Sequence, residues 1–372
     1  TPSPTRRVSA MGESNGNMKV SALRTAVLVL LCLQNSVYTL LRRYSQGVLK
    51  EKYSYAAVLL VGELIKLVCS GFFAAFLWPS DSGSNAGAGA GVRKMVFLIK
   101  NSSKMLFLAV VYAAMNMLSF VAIKRIDAGA FTIVAQMKIL TTAGFSVLFL
   151  GRRLTAQKWR SLVQLVLGVV LVSYGSYQAG HPAADCDALA AAEPLTVAEE
   201  AAAAAESDAS WSTMVVGYGA VLVEVTLSGC ISIYFEKVLK SDDTLKLSVW
   251  DRNFQLAFHS IVLYVVVHGM GFGGEDEGEG FFSGWSMVTV MLAFLGAGGG
   301  ILVALVMKHA DSILKTLAVA GAIVVSTVLG FVLLEGPLTT QMVIGAGAVI
   351  LAIFSYNDTG AAVAPKAEAV EA

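Results

Sequence analysis

The feature that most constrains the fold is a series of long apolar stretches, each about as long as a membrane-spanning helix. A helix needs roughly 20 mostly apolar residues to cross a bilayer. Because 56% of the residues are hydrophobic and only 14% are charged, against roughly a quarter in soluble domains, lipid surrounds most of the chain. The sequence therefore predicts an all-α membrane protein of about ten transmembrane helices. The predicted spans are 22–43, 54–78, 103–123, 128–150, 157–178, 212–236, 249–271, 284–307, 312–334 and 338–356.

The remaining segments divide the chain into five parts. Residues 1–20 and 358–372 are expected to be disordered cytosolic tails, and 179–211 is an alanine-rich, acidic loop of low complexity. Residues 21–178 and 212–357 then hold five spans each. An odd number of spans per half inverts the second copy relative to the first, as in many transporters. We therefore expect two inverted five-helix repeats.

A short motif repeats between these halves. Leu154-Thr155-x-Gln157 follows the fourth predicted span, and Leu338-Thr339-x-Gln341 follows the ninth. Four-residue matches also occur by chance in apolar sequence, so the motif indicates a repeat without establishing it.

The distribution of Lys and Arg predicts the orientation, since cytosolic loops are enriched in both. Residues 179–211 contain seven acids and no Lys or Arg, and 272–283 contains only acidic charges. We assign both segments to the lumen and both termini to the cytosol, although the basic first loop opposes this assignment. The formal net charge is only +1, and nucleic acid is not an expected partner.

Charged residues inside the predicted spans are the candidates for a binding site, because each costs at least about 3 kcal/mol to insert. Lys138 lies near the middle of the fourth span and Lys315 in the first turn of the ninth. Together they predict a site for one polyanion between the halves, which the backbone N–H groups at the start of the ninth span would also face. A lysine near a helix end can instead extend to the headgroups.

Glu63 and Lys66 are three residues apart on the second span, so they share one helix face and can neutralise each other. A structural ion pair and a binding role are equally compatible with this spacing. Other polar side chains, at Tyr112, Asn116 and Asn253, could contact a base or a sugar. The sequence contains no catalytic or metal-binding motif, so we expect no catalytic residues, metal or cofactor.

At these same residues the sequence resembles the nucleotide-sugar transporters of the Golgi and endoplasmic reticulum, in the branch of the UDP-galactose, UDP-N-acetylglucosamine and CMP-sialic acid carriers. The similarity runs from Leu33 to Asn357. The segments that carry it are Gly62-Glu63-Leu64-Ile65-Lys66, Gln136-Met137-Lys138-Ile139-Leu140-Thr141-Thr142-Ala143, Tyr234-Phe235-Glu236-Lys237-Val238-Leu239-Lys240, Arg252-Asn253-x-Gln255 and Lys308-x-x-Asp311-x-Ile313-Leu314-Lys315.

The resemblance implies exchange of a cytosolic nucleotide sugar for a luminal nucleoside monophosphate, in a Golgi or endoplasmic reticulum membrane. It gives Lys138 and Lys315 the role of phosphate-binding lysines. It makes Tyr112, Asn116, Gln136 and Asn253 cavity residues around the nucleotide. We expect alternating access of a cavity lined mainly by predicted spans two, three, four, seven, eight and nine.

Phe131 and Ala257 favour UDP sugars within this branch, because the similar CMP-sialic acid carriers tend to have tyrosine at both positions. UDP-galactose or UDP-N-acetylglucosamine is thus the expected substrate, exchanged for UMP. A CMP-sialic acid carrier, a carrier for another anionic metabolite and a membrane-embedded glycosyl- or phosphotransferase stay open as alternatives. The expected partners are the nucleotides and the lipid bilayer, and a homodimer stays open.

Overall fold

The computed structural model describes residues 4–77, 88–123, 125–180, 197–241, 247–269 and 281–358, and this part of the chain is helical, with no strand. Short π-helical turns at Tyr44–Val48 and Phe73–Leu77 extend the first two helices. The twelve helices are α1 (Pro4–Arg43), α2 (Tyr55–Phe72), α3 (Ala88–Lys100), α4 (Ser103–Ile123), α5 (Ala128–Ala135), α6 (Lys138–Leu150), α7 (Ala156–Gly180), α8 (Val197–Lys240), α9 (Val249–Gly269), α10 (Met287–His309), α11 (Ser312–Leu334) and α12 (Thr340–Asn357).

Nine segments of the described residues are long and apolar enough to cross a membrane. The predicted class, an all-α multi-pass membrane protein, is confirmed. The predicted span 249–271 corresponds to α9. This helix is not among the nine apolar segments, and its first five residues include the polar residues Asp251, Arg252 and Asn253. Helix α9 nevertheless packs against α2 and α4 within the bundle. The count of ten spans stays a prediction.

Helix α3 has no counterpart among the predicted spans. It provides partners for polar side chains near the start of α9. Lys94 of α3 lies 3.1 Å from the buried carboxylate of Asp251, and Gln255 Nε2 donates to Leu98 O at 2.7 Å. At 13 residues, α3 is too short to span a bilayer.

Two helices begin earlier than the segment boundaries predict. Helix α1 starts at Pro4, inside the expected tail 1–20, and α8 starts at Val197, inside the expected loop 179–211. Residues 198–206 consist of alanine and glutamate, which favour a helix even without tertiary contacts. Low complexity here therefore marks a helical extension. The tail 358–372 lies outside the described residues apart from Asp358.

Helices α7 and α12 pack antiparallel, with reciprocal contacts at their ends. Gln157 at the start of α7 donates to Ser355 O near the end of α12 at 3.2 Å, and Gln341 at the start of α12 donates to Gln178 near the end of α7 at 3.4 Å. Gln157 and Gln341 are the glutamines of the repeated sequence motif. Two copies of one motif on antiparallel helices are what an inverted repeat requires.

The other helices pack in equivalent ways in the two halves of the chain. Helix α8 packs against α4 and α6, and α1, the corresponding helix of the first half, packs against α10 and α11. Likewise, α2 packs against α10 while α9 packs against α4. These correspondences support the two-repeat arrangement, which itself stays a prediction.

Each copy of the repeated motif comes shortly after a helix that ends in the same way. Gly151 after α6 and Glu335 after α11 have positive φ, of 63° and 52°, and their N–H groups return to a carbonyl of the preceding turn, as in a left-handed helix cap. Thr155 and Thr339 then accept a hydrogen bond from the backbone three residues on. The threonine of each motif therefore starts a helix.

We predict that Gly345→Ala destabilises the protein, because the α7–α12 contact leaves no room for a methyl group. A Cβ at Gly345 would lie 2.6 Å from Gly168 O and 2.8 Å from Val172 N, whereas one at Gly347 would meet nothing within 4 Å. Overpacking of this kind costs about 1–3 kcal/mol. The melting temperature in detergent should fall for Gly345→Ala and not for the control Gly347→Ala. Equal melting temperatures would contradict this packing.

Candidate functional site

Lys138 lies at a break in the fourth predicted span. Helix α5 ends at Ala135 and α6 starts at Lys138, with a turn at residues 136–137 between them. The N–H groups of Ile139 and Leu140 bond to carbonyls only three residues back, at 3.1 and 3.0 Å. Such a tightened turn inside a span is typical of a functional hinge. The lysine therefore occupies an irregular point of the backbone rather than the middle of a continuous helix.

Lys315 occupies the first turn of α11, as predicted, but the backbone N–H groups around it are already bonded. Ser312 N donates to Glu236 Oε2 at 2.9 Å, and Leu314 N donates to Asp311 Oδ1 at 2.8 Å. The prediction that the start of this helix faces an anion through its N–H groups is wrong for these two residues. Carboxylates of the protein itself satisfy them, and they complement the positive end of the helix dipole.

The two lysines share one cavity of about 230 Å³ between the halves of the chain. Its wall combines polar side chains with an apolar surface formed by Val303 of α10 and by Val319, Ala320 and Ile323 of α11. Small-molecule pockets measure about 300–1,000 Å³, so this cavity holds part of a nucleotide sugar unless it widens. The lining residues are Asn35, Gln136, Lys138, Ile139, Thr142, Ser228, Ser232, Val303, Lys315, Thr316, Val319, Ala320 and Ile323.

This cavity differs from the expected one in the helices that form it. Asn35 belongs to α1, and Ser228 and Ser232 belong to α8, so predicted spans one and six contribute. Predicted spans two, three and seven do not line it in the described part of the chain. Helix α8 contributes to the wall because it packs closely against α6. Thr141 Oγ1 of α6 donates to Val225 O at 3.0 Å, and Thr141 packs on Gly229.

The cavity is electropositive. Lys315 Nζ donates to Ser232 Oγ at 3.3 Å, while the Lys138 ammonium makes no hydrogen bond to another described residue. The two cations are close enough to repel each other. In a low-dielectric bundle such repulsion is strong, and an anion bound between the lysines would relieve it.

A second polar cluster lies beside the cavity and contains four of the predicted site residues. Lys66 Nζ and Glu63 Oε1 are 2.6 Å apart, so the two side chains form an ion pair, and their binding role stays a prediction. Asn116 Nδ2 donates to the Tyr264 hydroxyl at 3.1 Å, and Tyr112 and Glu63 both lie within electrostatic range of that hydroxyl. Tyr264 was absent from the sequence-based candidates.

Helix α10 connects this cluster to the cavity. The Lys66 side chain passes close to Gly300, and Val303, three residues on, lines the cavity. The separation along the helix is about one turn. The structure therefore brings seven of the eight predicted site residues into two adjoining groups.

Asn253 is the predicted site residue outside both groups. It is 1% exposed, and its Nδ2 donates to Val249 O of its own helix at 3.0 Å. Of the two residues taken to favour UDP sugars, Phe131 packs against an apolar cluster of α8 and Ala257 is fully buried.

An ion-pair network lies one helical turn beyond the cavity residue Ser232. Glu236, one turn beyond Ser232 on α8, is fully buried and accepts hydrogen bonds from Arg152 and from Lys240 Nζ, the latter at 2.7 Å. Arg152 also pairs with Asp311 at 3.7 Å. The network thus links the end of α6 to α8 and to the start of α11.

A smaller polar group, around Glu51, lies at the far end of α1 from this network. Glu51 accepts hydrogen bonds from Ser45 Oγ at 2.7 Å and Thr289 Oγ1 at 3.1 Å, which connect the α1–α2 loop to α10. Burial raises the pKa of Glu51, but hydrogen bonds from Ser286, Ser45 and Thr289 outweigh it and hold the pKa below its ordinary value. The carboxylate is therefore charged at neutral pH.

Sequence comparison identifies the family. A profile for the family described as nucleotide-sugar transporter matches residues 19–357. The chain belongs to the nucleotide-sugar transporter family. This family is one of transporters and not of enzymes, so the predicted absence of catalytic activity agrees with the family assignment.

Individual relatives within this family align over most of the chain. A UDP-N-acetylglucosamine/UDP-N-acetylgalactosamine transporter of Caenorhabditis elegans is 34% identical and covers 92% of this chain and 96% of its own length. A UDP-galactose transporter of Schizosaccharomyces pombe is 32% identical over 90% of this chain and 88% of its own. A UDP-N-acetylglucosamine transporter of Mus musculus is 32% identical, with 90% and 95% covered.

A solved crystal structure aligns with a TM-score of 0.58 over 90% of this nucleotide-sugar transporter and 95% of its own chain, at 15% identity. At that identity the similarity concerns the fold alone.

Proposed function

We propose that this protein exchanges a cytosolic UDP sugar, UDP-N-acetylglucosamine or UDP-galactose, for luminal UMP across a Golgi membrane. The observation that carries the proposal is the shared cavity of Lys138 and Lys315, in a chain whose relatives described above are named for UDP sugars. The phosphates bind between the two lysines. The adjoining cluster around Tyr264 and Asn116 offers hydrogen bonds to the base or the sugar.

Exchange follows from the charge of the cavity. A phosphate monoester and the pyrophosphate of a UDP sugar each carry about two negative charges at neutral pH. Either ligand therefore offsets the two lysines, whereas an empty cavity keeps its excess of positive charge. Because a buried unpaired charge is costly, the loaded carrier reorients more readily than the empty one, which couples transport in one direction to transport in the other.

Alternating access requires that the cavity close at each end in turn. With both termini cytosolic, the network around Glu236 lies on the cytosolic side, since Arg24 near the start of the apolar part of α1 is in electrostatic range of Tyr356, as are Arg152 and Asp311. In this mechanism the network is the contact that closes the cytosolic end of the cavity. Two inverted repeats supply an equivalent closure on the luminal side when the halves move relative to each other.

A substrate panel tests the function. Proteoliposomes preloaded with UMP should accumulate labelled UDP-N-acetylglucosamine or UDP-galactose faster than empty vesicles, and external UMP should compete. CMP preloading should give much less stimulation of CMP-sialic acid uptake. Faster exchange of CMP than of UMP would assign the carrier to CMP sugars, and product formation without transport would indicate a transferase.

The two lysines are expected to be essential. Lys138→Ala and Lys315→Ala should each weaken UMP competition about 100-fold, because a hydrogen bond to a charged group contributes up to about 3 kcal/mol. Lys138→Arg should also be impaired, since a planar guanidinium does not replace a point charge in a tight cavity. Lys308, exposed near the end of α10, provides the control Lys308→Ala. Wild-type exchange by Lys138→Ala protein would exclude this mechanism.

The Glu236 network is expected to act as a gate. Glu236→Gln removes charge-assisted hydrogen bonds worth about 1.5 kcal/mol or more, so the closed conformation should lose population by about tenfold. A cysteine at Ser228, with the native cysteines replaced, should react faster with an impermeant maleimide added on the side where α1 begins. Lys237→Gln, at the adjacent exposed residue, is the control. Equal labelling rates would show that the network does not limit access.

A further inference from the structure

A third charge lies close to the cavity. Helices α6 and α8 touch next to Lys138 and Glu224, because Thr141 Oγ1, three residues after Lys138, donates to Val225 O, beside Glu224, at 3.0 Å. Glu224 and Lys138 are within electrostatic range of each other but form no direct ion pair. The Oε2 atom of Glu224 is buried and has no hydrogen-bond partner. A buried carboxylate oxygen without a partner is costly, so this position is retained at the expense of stability.

Three other acids in the described part of the helices have a cation at ion-pair distance. Glu63 pairs with Lys66 at 2.6 Å, Glu236 with Lys240 at 2.7 Å and Asp251 with Lys94 at 3.1 Å. Glu224 has no such partner among the described residues, and the cation that acts on it is the Lys138 ammonium. These two groups, each without a direct partner among the described residues, therefore lie within electrostatic range of each other.

Glu224 is on the same helix as two residues of the cavity wall. Ser228 and Ser232, one and two helical turns further along α8, line the cavity, so Glu224 lies roughly 6 Å along the helix from Ser228. Its neighbours Val221 and Val225 belong to an apolar cluster that offers no alternative hydrogen bond. The carboxylate is thus adjacent to the cavity and on the opposite side of Ser228 from the Glu236 network.

We propose that Glu224 is the internal counter-ion of Lys138 and competes with the substrate phosphate for that lysine. This inference rests on the proposed exchange function and specifies how the site releases its ligand. In the empty carrier Glu224 attracts Lys138 and so weakens the repulsion between the two lysines. When a phosphate enters, Lys138 turns to the phosphate; when the phosphate leaves, the carboxylate recovers the lysine. Glu224 is therefore a positioning residue that lowers the affinity of the site for phosphate and speeds the release of the ligand.

The effect should divide between binding and turnover. Glu224→Gln should lower the Kd for UMP about tenfold, because the phosphate no longer competes with a carboxylate. The same substitution should lower kcat for UMP-driven uptake, since release is slowed. A purely structural role would lower activity without tightening binding. Glu224→Asp, with the charge retained and the reach shortened, should lie between these values, and it provides the same comparison should Glu224→Gln protein not fold.

A double-mutant cycle with Lys138 tests the partner directly. In Lys138→Ala protein, Glu224→Gln should leave the Kd for UMP unchanged within about twofold, since the lysine for which they compete is gone. Thr226→Val, at an exposed residue on the same helix, is the control. An unchanged or higher Kd in Glu224→Gln, or an equal decrease in the Lys138→Ala background, would overturn the inference. Unmodified protein assayed in parallel separates the two proposals, because absence of UMP exchange there refutes the exchange function itself.

Discussion

The structure depends on the cost of keeping two lysine ammonium groups inside a lipid-embedded bundle. Lys138 comes from the first half of the chain and Lys315 from the second, and they meet in one cavity where each raises the energy of the other. Such repulsion is costly in a membrane, and in our proposal a bound anion relieves it. The cavity wall, the break in the α5–α6 span and the neighbouring carboxylates can all be understood as responses to these two charges.

Charge neutralisation is organised differently at each position along the bundle. Glu236 is fully buried and bonded by Arg152, Lys240 and Ser312 N, which holds α6, α8 and α11 together. Glu63 is neutralised locally by Lys66. The cavity itself is left incompletely neutralised. Ion pairs thus surround a site whose net charge favours an anion. In our proposal the bound anion supplies the negative charge that the protein lacks at this site.

Particular residues show how far sequence reasoning reached. Lys138, Lys315 and the Glu63–Lys66 pair were predicted because a charge in an apolar stretch is a strong signal in any membrane protein. Glu224 is also a charge in an apolar stretch, but it belongs to none of the motifs that indicated the site. Asn253 was carried over from a motif, yet its side chain bonds to its own helix. Polarity alone does not show which way a side chain points.

The sequence by itself determined the class of the protein, its nearly complete set of helices and the presence of buried charge. These properties follow from local hydropathy and composition, because a bilayer accepts only segments that satisfy their own backbone. The tertiary structure decided which helices approach one another. It joined α1 and α8 to the cavity and occupied the N–H groups at the start of α11 with carboxylates. It also brought Glu224 within electrostatic range of Lys138. These contacts join residues far apart along the chain, so they depend on the packing of the two halves and not on any local pattern.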